Sequence, residues 1–398
     1  MLLFRLALAS FAIQAGFHGF TASLPLFMTR SGVPDAEIGL VMGAAALVQL
    51  PAAFIVGGLV DRFGGGRLYF VGAGMYALGA LLLAWPGLDP TRDRWLLLAI
   101  RAIQGVGIAT CLPSALAMVP ALVPEARRGF GLSFIGSAQN LTLVILPPLS
   151  IAVLDASGAI QAVALMTIAF VAAGAALTIE PARVALGAAA RALGEGVRKP
   201  RRGYRIAWRR EWLSILAVVL LYVTHWGAVT AFLPARAEAA GANVGLFFAA
   251  DGVAILLLRV PTGAAADRVA SRWLVLAGLG ITIAALALLL VEPTTPLLIV
   301  SGALGGAGGG LVLTAALVEI SRRSDERDRG SAFSLLSGAI AGAIALGSLG
   351  GAAVVAVAGF EATMLAGIGG VVLAGVVAVL DAGLGKNPRA RAVGREAA

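Results

Sequence analysis

Lysine, histidine and cysteine are almost missing from this chain. Among 398 residues there are one cysteine, Cys111, two histidines, His18 and His225, and two lysines, Lys199 and Lys386. A single cysteine excludes an intrachain disulfide and a cysteine-based metal cluster. Lying in an apolar run, Cys111 reads as a small buried hydrophobe. Charge is scarce too. Asp, Glu, Lys and Arg make up 13% of the residues, against about 25% in a soluble globular domain. The chain also lacks His-x-x-x-His, Gly-x-Ser-x-Gly and Gly-x-x-x-x-Gly-Lys. Nothing in it therefore supports a membrane-bound enzyme or an ATP-driven pump, and neither a metal nor a cofactor is expected.

What remains is apolar: 59% of the residues are hydrophobic and the mean hydropathy is +0.93. Runs of about 20 apolar residues, the length that crosses a bilayer core, recur from end to end. We read twelve spans, at 6–29, 37–60, 67–86, 95–118, 129–154, 158–180, 212–235, 244–266, 271–291, 296–318, 330–357 and 360–383. Without water to satisfy the backbone, each should be helical. The first is too long for a signal sequence and has no small-residue cleavage site, so it reads as a span that stays. Proline and glycine inside the spans, such as Pro25, Pro51 and the run from Gly305 to Gly310, suit helices that pack closely in lipid.

The formal charge of +9 comes with a bias in position. With the N-terminus in the cytoplasm, inside segments hold 24 of the 30 basic residues; Arg30, Arg92, Arg94 and Arg236 fall outside, and Arg101 and Arg259 within spans. That is a topology signal placing both termini in the cytoplasm, and an attraction to anionic lipid rather than to nucleic acid. Residues 181–211, rich in arginine, divide the chain into six-span halves, 1–180 and 212–383, and a basic tail follows at 384–398. This linker is either a partly helical strap on the membrane surface or a solvated connection.

The halves repeat. Gly39 and Gly245 each precede an acid by 22 residues, Asp61 and Asp267. His18 and His225 lie near the middle of the first span of each half, and Glu125–Phe130 returns as Glu326–Ser331. Six spans per half give both halves the same orientation, a parallel repeat about the membrane normal. Each acid ends a helix, facing the negative end of its macrodipole, and has a neighbouring cation, Arg62 or Arg268.

These features resemble the major facilitator superfamily, over essentially the whole chain. The family's signature between spans two and three is Gly-x-Leu-Ala-Asp-Arg-x-Gly-Arg-Arg. Here Gly57, Leu59, Asp61, Arg62 and Gly64 match it, Gly65 and Gly66 replace the two arginines, and Arg67 comes one place late. In the second half Gly263, Asp267, Arg268 and Arg272 match, and Ala270 replaces a glycine. The resemblance implies an all-α membrane fold of twelve helices in two pseudo-symmetric bundles, and a cytoplasmic gate at Gly57, Asp61, Arg62, Gly64, Arg67, Gly263, Asp267 and Arg268. Arg101-Ala102-Ile103-Gln104-Gly105 resembles the Arg-x-x-Gln-Gly pattern of proton-coupled members. Span five carries Leu146-Pro147-Pro148-Leu149-Ser150 where exporters of the family have Gly-Pro-x-x-Gly-Gly. The overall wording looks most like the bacterial efflux branch, which implies the inner membrane and a monomer.

Polar groups at membrane depth are costly, so each is a candidate. Gln14 and His18 share a face of span one, and His225 is the counterpart in span seven. Each imidazole is either a proton or substrate ligand or a packing group bonded to a carbonyl. Arg101 and Gln104 share a face of span four. A guanidinium there must find an anion, carbonyl dipoles or water. Asp251 lies inside span eight, and either carries protons or makes a structural hydrogen bond. Gln49, Gln139 and Asn140 add neutral donors and acceptors or hold helices together. Phe17, Phe20, Phe27, Tyr222, Trp226 and Phe232 either wall an apolar site or face lipid. The expected function is a secondary transporter working by alternating access, with protons and a small organic solute as partners. Proton-coupled efflux of an apolar, amphipathic or anionic compound is preferred over uptake or facilitated diffusion of an organic anion or sugar. A non-transporting receptor on the same fold is the alternative of another class.

Overall fold

The computed structural model describes residues 1–124, 127–194, 209–266, 268–324, 329–381 and 384. Its elements are α1 (Leu2–Arg30), α2 (Asp35–Phe63), α3 (Gly65–Leu83), α4 (Arg94–Leu122), α5 (Arg128–Ser157), α6 (Ile160–Gly194), α7 (Arg210–Ala239), α8 (Val244–Ala266), α9 (Ser271–Leu288), α10 (Thr295–Arg322) and α11 (Arg329–Leu380). Gly359, at φ 82° and ψ −177°, breaks α11 into arms 329–358 and 360–380, so among the described residues twelve helical segments stand where twelve spans were read. Among the described residues ten helices are long and apolar enough to cross a membrane; the last, Ser331–Leu380, is 50 residues and contains the break at Gly359. The outward faces stay apolar, with Leu81 60%, Leu257 69% and Leu380 77% exposed, as helices in hydrocarbon require.

Local chemistry sets the helix ends. Gly32 and Gly241 both adopt positive φ, and the stops close alike, with Val33 N–H bonding Met28 O and Ala242 N–H bonding Ala237 O. Thr294 caps α10 by accepting from the amide of Leu297. The linker departs from expectation. α6 continues to Gly194 instead of stopping at 180. The physical reason is packing: Ala182 is buried against Gly66, and the Leu186 side chain reaches Gly64. Residues 195–208, the middle of the expected linker, lie outside the described residues, as do Glu125, Ala126, Asp267, 325–328, 382–383 and the tail beyond Leu384.

The chain forms two compact units: Met1–Val33 with Ala44–Ile206, and Pro34–Gly43 with Ala207–Ala398. In the first, α1 packs on α5 and α6, and α3 on α4 and α6. In the second, α7 packs on α11, α9 on α10 and α11, and α8 on α10. The scheme repeats down to the glycines that let backbones approach. A Cβ on Gly72 would stand 2.8 Å from Gly107 O, and one on Gly278 2.8 Å from Gly308 O. Gly105 lies against the backbone of Ala45, and Gly306 against the backbone of Asp251. Asp251 therefore occupies in the second unit the place that alanine holds in the first.

Candidate functional site

In the first unit, α4 carries Arg101 and Gln104 inward, 3% and 1% exposed. The Arg101 Nη1 donates to Gln104 Oε1 over 2.9 Å. The i, i+3 spacing that puts both on one face makes this bond local. On α1, His18 is half-buried and its Nδ1 lies 2.6 Å from Thr142 Oγ1 of α5. The Thr142 hydroxyl in turn donates to Gln139 O. Its one proton is thus spent, so the His18 Nδ1 must donate, leaving Nε2 as the acceptor of the neutral ring. Gln14, one turn before His18, and Gln139 have a buried side-chain atom each without a bond, Oε1 and Nε2. Asn140 is half-buried beside Gln139 on α5. The sequence put Gln14 and His18 on one face of a helix and brought Gln139 forward separately; the structure links His18 to α5 through Thr142, which no sequence pattern marked.

In the second unit, α7 buries His225, and its Nδ1 donates to the carbonyl of Tyr222 on its own helix. The two rings meet edge to face, centroids 5.0 Å apart. The repeated histidines thus share a protonated Nδ1 but have different partners, a threonine of α5 for one and a backbone carbonyl for the other. The Tyr222 hydroxyl lies 3.4 Å from Thr282 Oγ1 of α9. Asp251 of α8 is 2% exposed. Its backbone abuts Gly306, its Oδ1 faces Gly305 of α10, and its Oδ2 is buried with no hydrogen-bond partner. An unpaired buried carboxylate is expensive unless it is neutralised.

The turn between α2 and α3 places Arg62 and Arg67 at the surface, with Arg62 over the ring of Phe63 at 5.1 Å. Gly64 holds φ 86°, which favours glycine, and Gly57 and Gly263 have open space around them. Arg268 is exposed, and Arg272 instead donates to Asp381 O over 2.7 Å. The side chain of Asp61, like Asp267, lies outside what the structure describes. Among the aromatics, Phe20, Tyr222 and Phe232 are buried at 0%, 4% and 2%, so facing lipid is ruled out for these three; they fill the interior of their units.

Sequence reading missed a polar network at one end of the second unit. Glu319, 1% exposed, accepts from Arg323 Nε at 2.9 Å and from the Ser271 hydroxyl at 3.0 Å. Arg323 also pairs with Asp381 at 2.9 Å, and Ser214 donates to that same carboxylate. Trp212, fully buried, donates its indole N–H to the Arg323 carbonyl. The only signal was acids near span ends, which topology alone also explains.

A family profile described as Major Facilitator Superfamily matches residues 6–250 and 237–396. The chain belongs to the Major Facilitator Superfamily. It is a multi-pass membrane protein of that fold. It is similar to an uncharacterised MFS-type transporter of Mycobacterium tuberculosis, 28% identical over 134 residues, 34% of this chain and 22% of that protein. It is also similar to the multidrug resistance protein MdtL of Shewanella oneidensis, 26% identical over 149 residues and 36% of each chain. A third relative, the probable anion transporter 3 of Arabidopsis thaliana, is chloroplastic and 27% identical over 132 residues, 32% of this chain and 25% of that protein. This chain spans between 22% and 36% of the lengths of those relatives. Among solved structures, a POT family transporter in complex with a thioalcohol-conjugated peptide matches with a TM-score of 0.75 at 15% identity, covering 96% of both chains. A nucleoside transporter matches at 0.72 and 13%, covering 95% of this chain and 99% of that one. Identities this low establish the shared fold.

Proposed function

We propose that this member of the superfamily is a secondary carrier that exports a small apolar, amphipathic or anionic compound in exchange for protons, by alternating access. The observation that carries the reading is Asp251, a carboxyl buried in α8 with one oxygen unbonded and no cation bonded to it among the described residues. An ionisable group buried at membrane depth is a functional-site candidate, and proton relay is one of the roles such carboxyls take. The similarity to a multidrug resistance protein supports export. Gln14, His18, Arg101, Gln104, Gln139, Asn140 and His225 are the groups we assign to the solute and to coupling, and the turn at Gly57–Arg67 with Gly263, Asp267 and Arg268 to the cytoplasmic gate. Both termini lie in the cytoplasm of a bacterial inner-membrane monomer in this reading, with lipid and protons as its other partners. A second reading, uptake of a small organic anion, is favoured by Arg101, a buried guanidinium whose bonded partner is an amide rather than an acid, and by the likeness to a probable anion transporter.

Transport into and out of proteoliposomes, with and without a pH gradient, tests this. Proton–solute coupling is worth about 5- to 150-fold. Asp251→Asn should remove that gradient-driven enhancement and leave solute exchange at equilibrium pH intact. A variant still driven by the gradient as strongly as wild type removes Asp251 from the mechanism. Net movement inward with protons, not outward against them, selects the uptake reading.

A further inference from the structure

The interior of the first unit holds a set of hydrogen-bond donors without acceptors. Arg101 Nε, Gln104 Nε2, Tyr76 Oη and Thr167 Oγ1 are all buried and have no hydrogen-bond partner; Arg101 and Gln104 are 3% and 1% exposed, and Tyr76 and Thr167 0%. They come from three helices, α4, α3 and α6, and the packing brings them together. On α3, Gly79 makes room for Gln104: a Cβ there would lie 2.6 Å from Gln104 Cγ. One turn earlier, Tyr76 packs on Gly107 of α4, one turn beyond Gln104. Its ring then reaches Gly16 of α1, where a Cβ would stand 3.0 Å from both Tyr76 Cε1 and Thr167 Cγ2.

The chemistry of the set is one-sided. A guanidinium and an amide nitrogen only donate, and the hydroxyls of tyrosine and threonine can donate to an acceptor placed among them. One member carries a full positive charge that it cannot lose. Among the described carboxylates of this unit, Glu180 pairs with Arg5, Asp155 with Arg30 and Asp89 with Arg92, and Asp93 accepts from the Asp89 amide. Buried unsatisfied donors of this number call for an unseen water or ion, and a buried cation calls for a negative one.

We propose that the first unit binds a small monovalent anion on Arg101, Gln104 and Tyr76, with Thr167 at its edge. Two sources share this chemistry: an inorganic anion such as chloride, and the carboxylate of a transported solute, the latter resting on the carrier reading above. The second unit does not repeat the site. Glycine, Gly302, stands at the place corresponding to Arg101 by the spacing that relates Gly105 to Gly306, and Thr282 at the place of Tyr76 by the spacing that relates Gly72 to Gly278.

The test is thermal unfolding of the purified full chain titrated with sodium chloride or sodium acetate, against sodium gluconate at matched ionic strength. Wild type should gain thermal stability saturably with chloride, with acetate, or with both. Tyr76→Phe, which keeps the ring and deletes the donor, should raise the half-saturating concentration about tenfold, the scale of a lost bond to a charged group. Arg101→Gln should abolish the response; should that variant not fold, Gln104→Leu provides the second measurement and should weaken it. Response to chloride alone identifies a resident inorganic ion, and response to acetate alone a solute carboxylate. No saturable gain with either anion, or an equal gain in Tyr76→Phe and wild type, overturns the site. Wild-type proteoliposomes separate this from the transport reading: transport without an anion response sinks the site and spares the carrier, and the converse sinks the carrier and spares the site.

Discussion

At Gly65 and Gly66 the chain departs from its family's signature, and packing explains the departure. A Cβ on Gly65 would meet Ser114 O at 2.6 Å, and one on Gly66 would meet Ala182 Cβ at 2.8 Å. The two arginines of the signature have no room here, because α4 and the extended α6 close on this turn. Gly66→Arg, which restores the family residue, should therefore destabilise by about 1–3 kcal/mol through overpacking. Gly57→Ala, nine residues before in open space, should stay within about 0.5 kcal/mol or gain slightly from helix propensity. Thermal unfolding of the two purified variants checks both. A neutral Gly66→Arg would mean that the α6 extension does not seat on the turn.

Between elements, the α8–α10 crossing repeats the backbone approach of α2 and α4, with Asp251 in the place of Ala45 where the glycine meets it. Deleting the carboxyl restores the packing of the first unit. Asp251→Ala should accordingly raise stability, by about 1–3 kcal/mol if the unpaired buried oxygen is the cost removed, and at the same time lose the dependence of transport on the proton gradient. Such opposed effects mark a residue kept for function rather than for the fold. Gly306→Ala should act oppositely. Its Cβ would press into the backbone of Asp251, so it should lower the melting temperature by forcing α8 from α10.

Each unit as a whole is tied at both ends. In the first, Arg5 pairs with Glu180 and Arg30 with Asp155. In the second, Arg236 pairs with Glu361, and Arg323 joins Glu319 and Asp381. The ties differ in burial, and so in worth. The Arg5 and Glu180 side chains are 29% and 53% exposed, so Arg5→Ala should cost less than about 1 kcal/mol. The Arg323 and Glu319 side chains are 10% and 1% exposed. Glu319→Ala should cost more, about 1.5–3 kcal/mol, because it removes one of the two buried carboxylates that hold Arg323 and leaves only Asp381. Chemical or thermal denaturation of both variants in one detergent measures the difference, and equal losses would refute the ranking.

Span number, repeat and family signature are local properties of hydropathy, charge and spacing, and they were legible without coordinates. So were Arg101, His18, His225 and Asp251, because an ionisable group at membrane depth is conspicuous in an apolar sequence. Their partners were not. Thr142 beside His18, Tyr76 packed on Gly107 one turn from Gln104, and Trp212 on the Arg323 carbonyl are ordinary residues, up to 124 positions away from the groups they serve. Which side chains meet depends on how each helix is rotated and how closely it crosses its neighbour. Glycine notches such as Gly72 with Gly107 and Gly278 with Gly308 set those crossings. The sequence by itself determined where the chain is helical and which charges it hides; only the tertiary structure decided what each hidden charge faces, since that choice is made between helices and not along them.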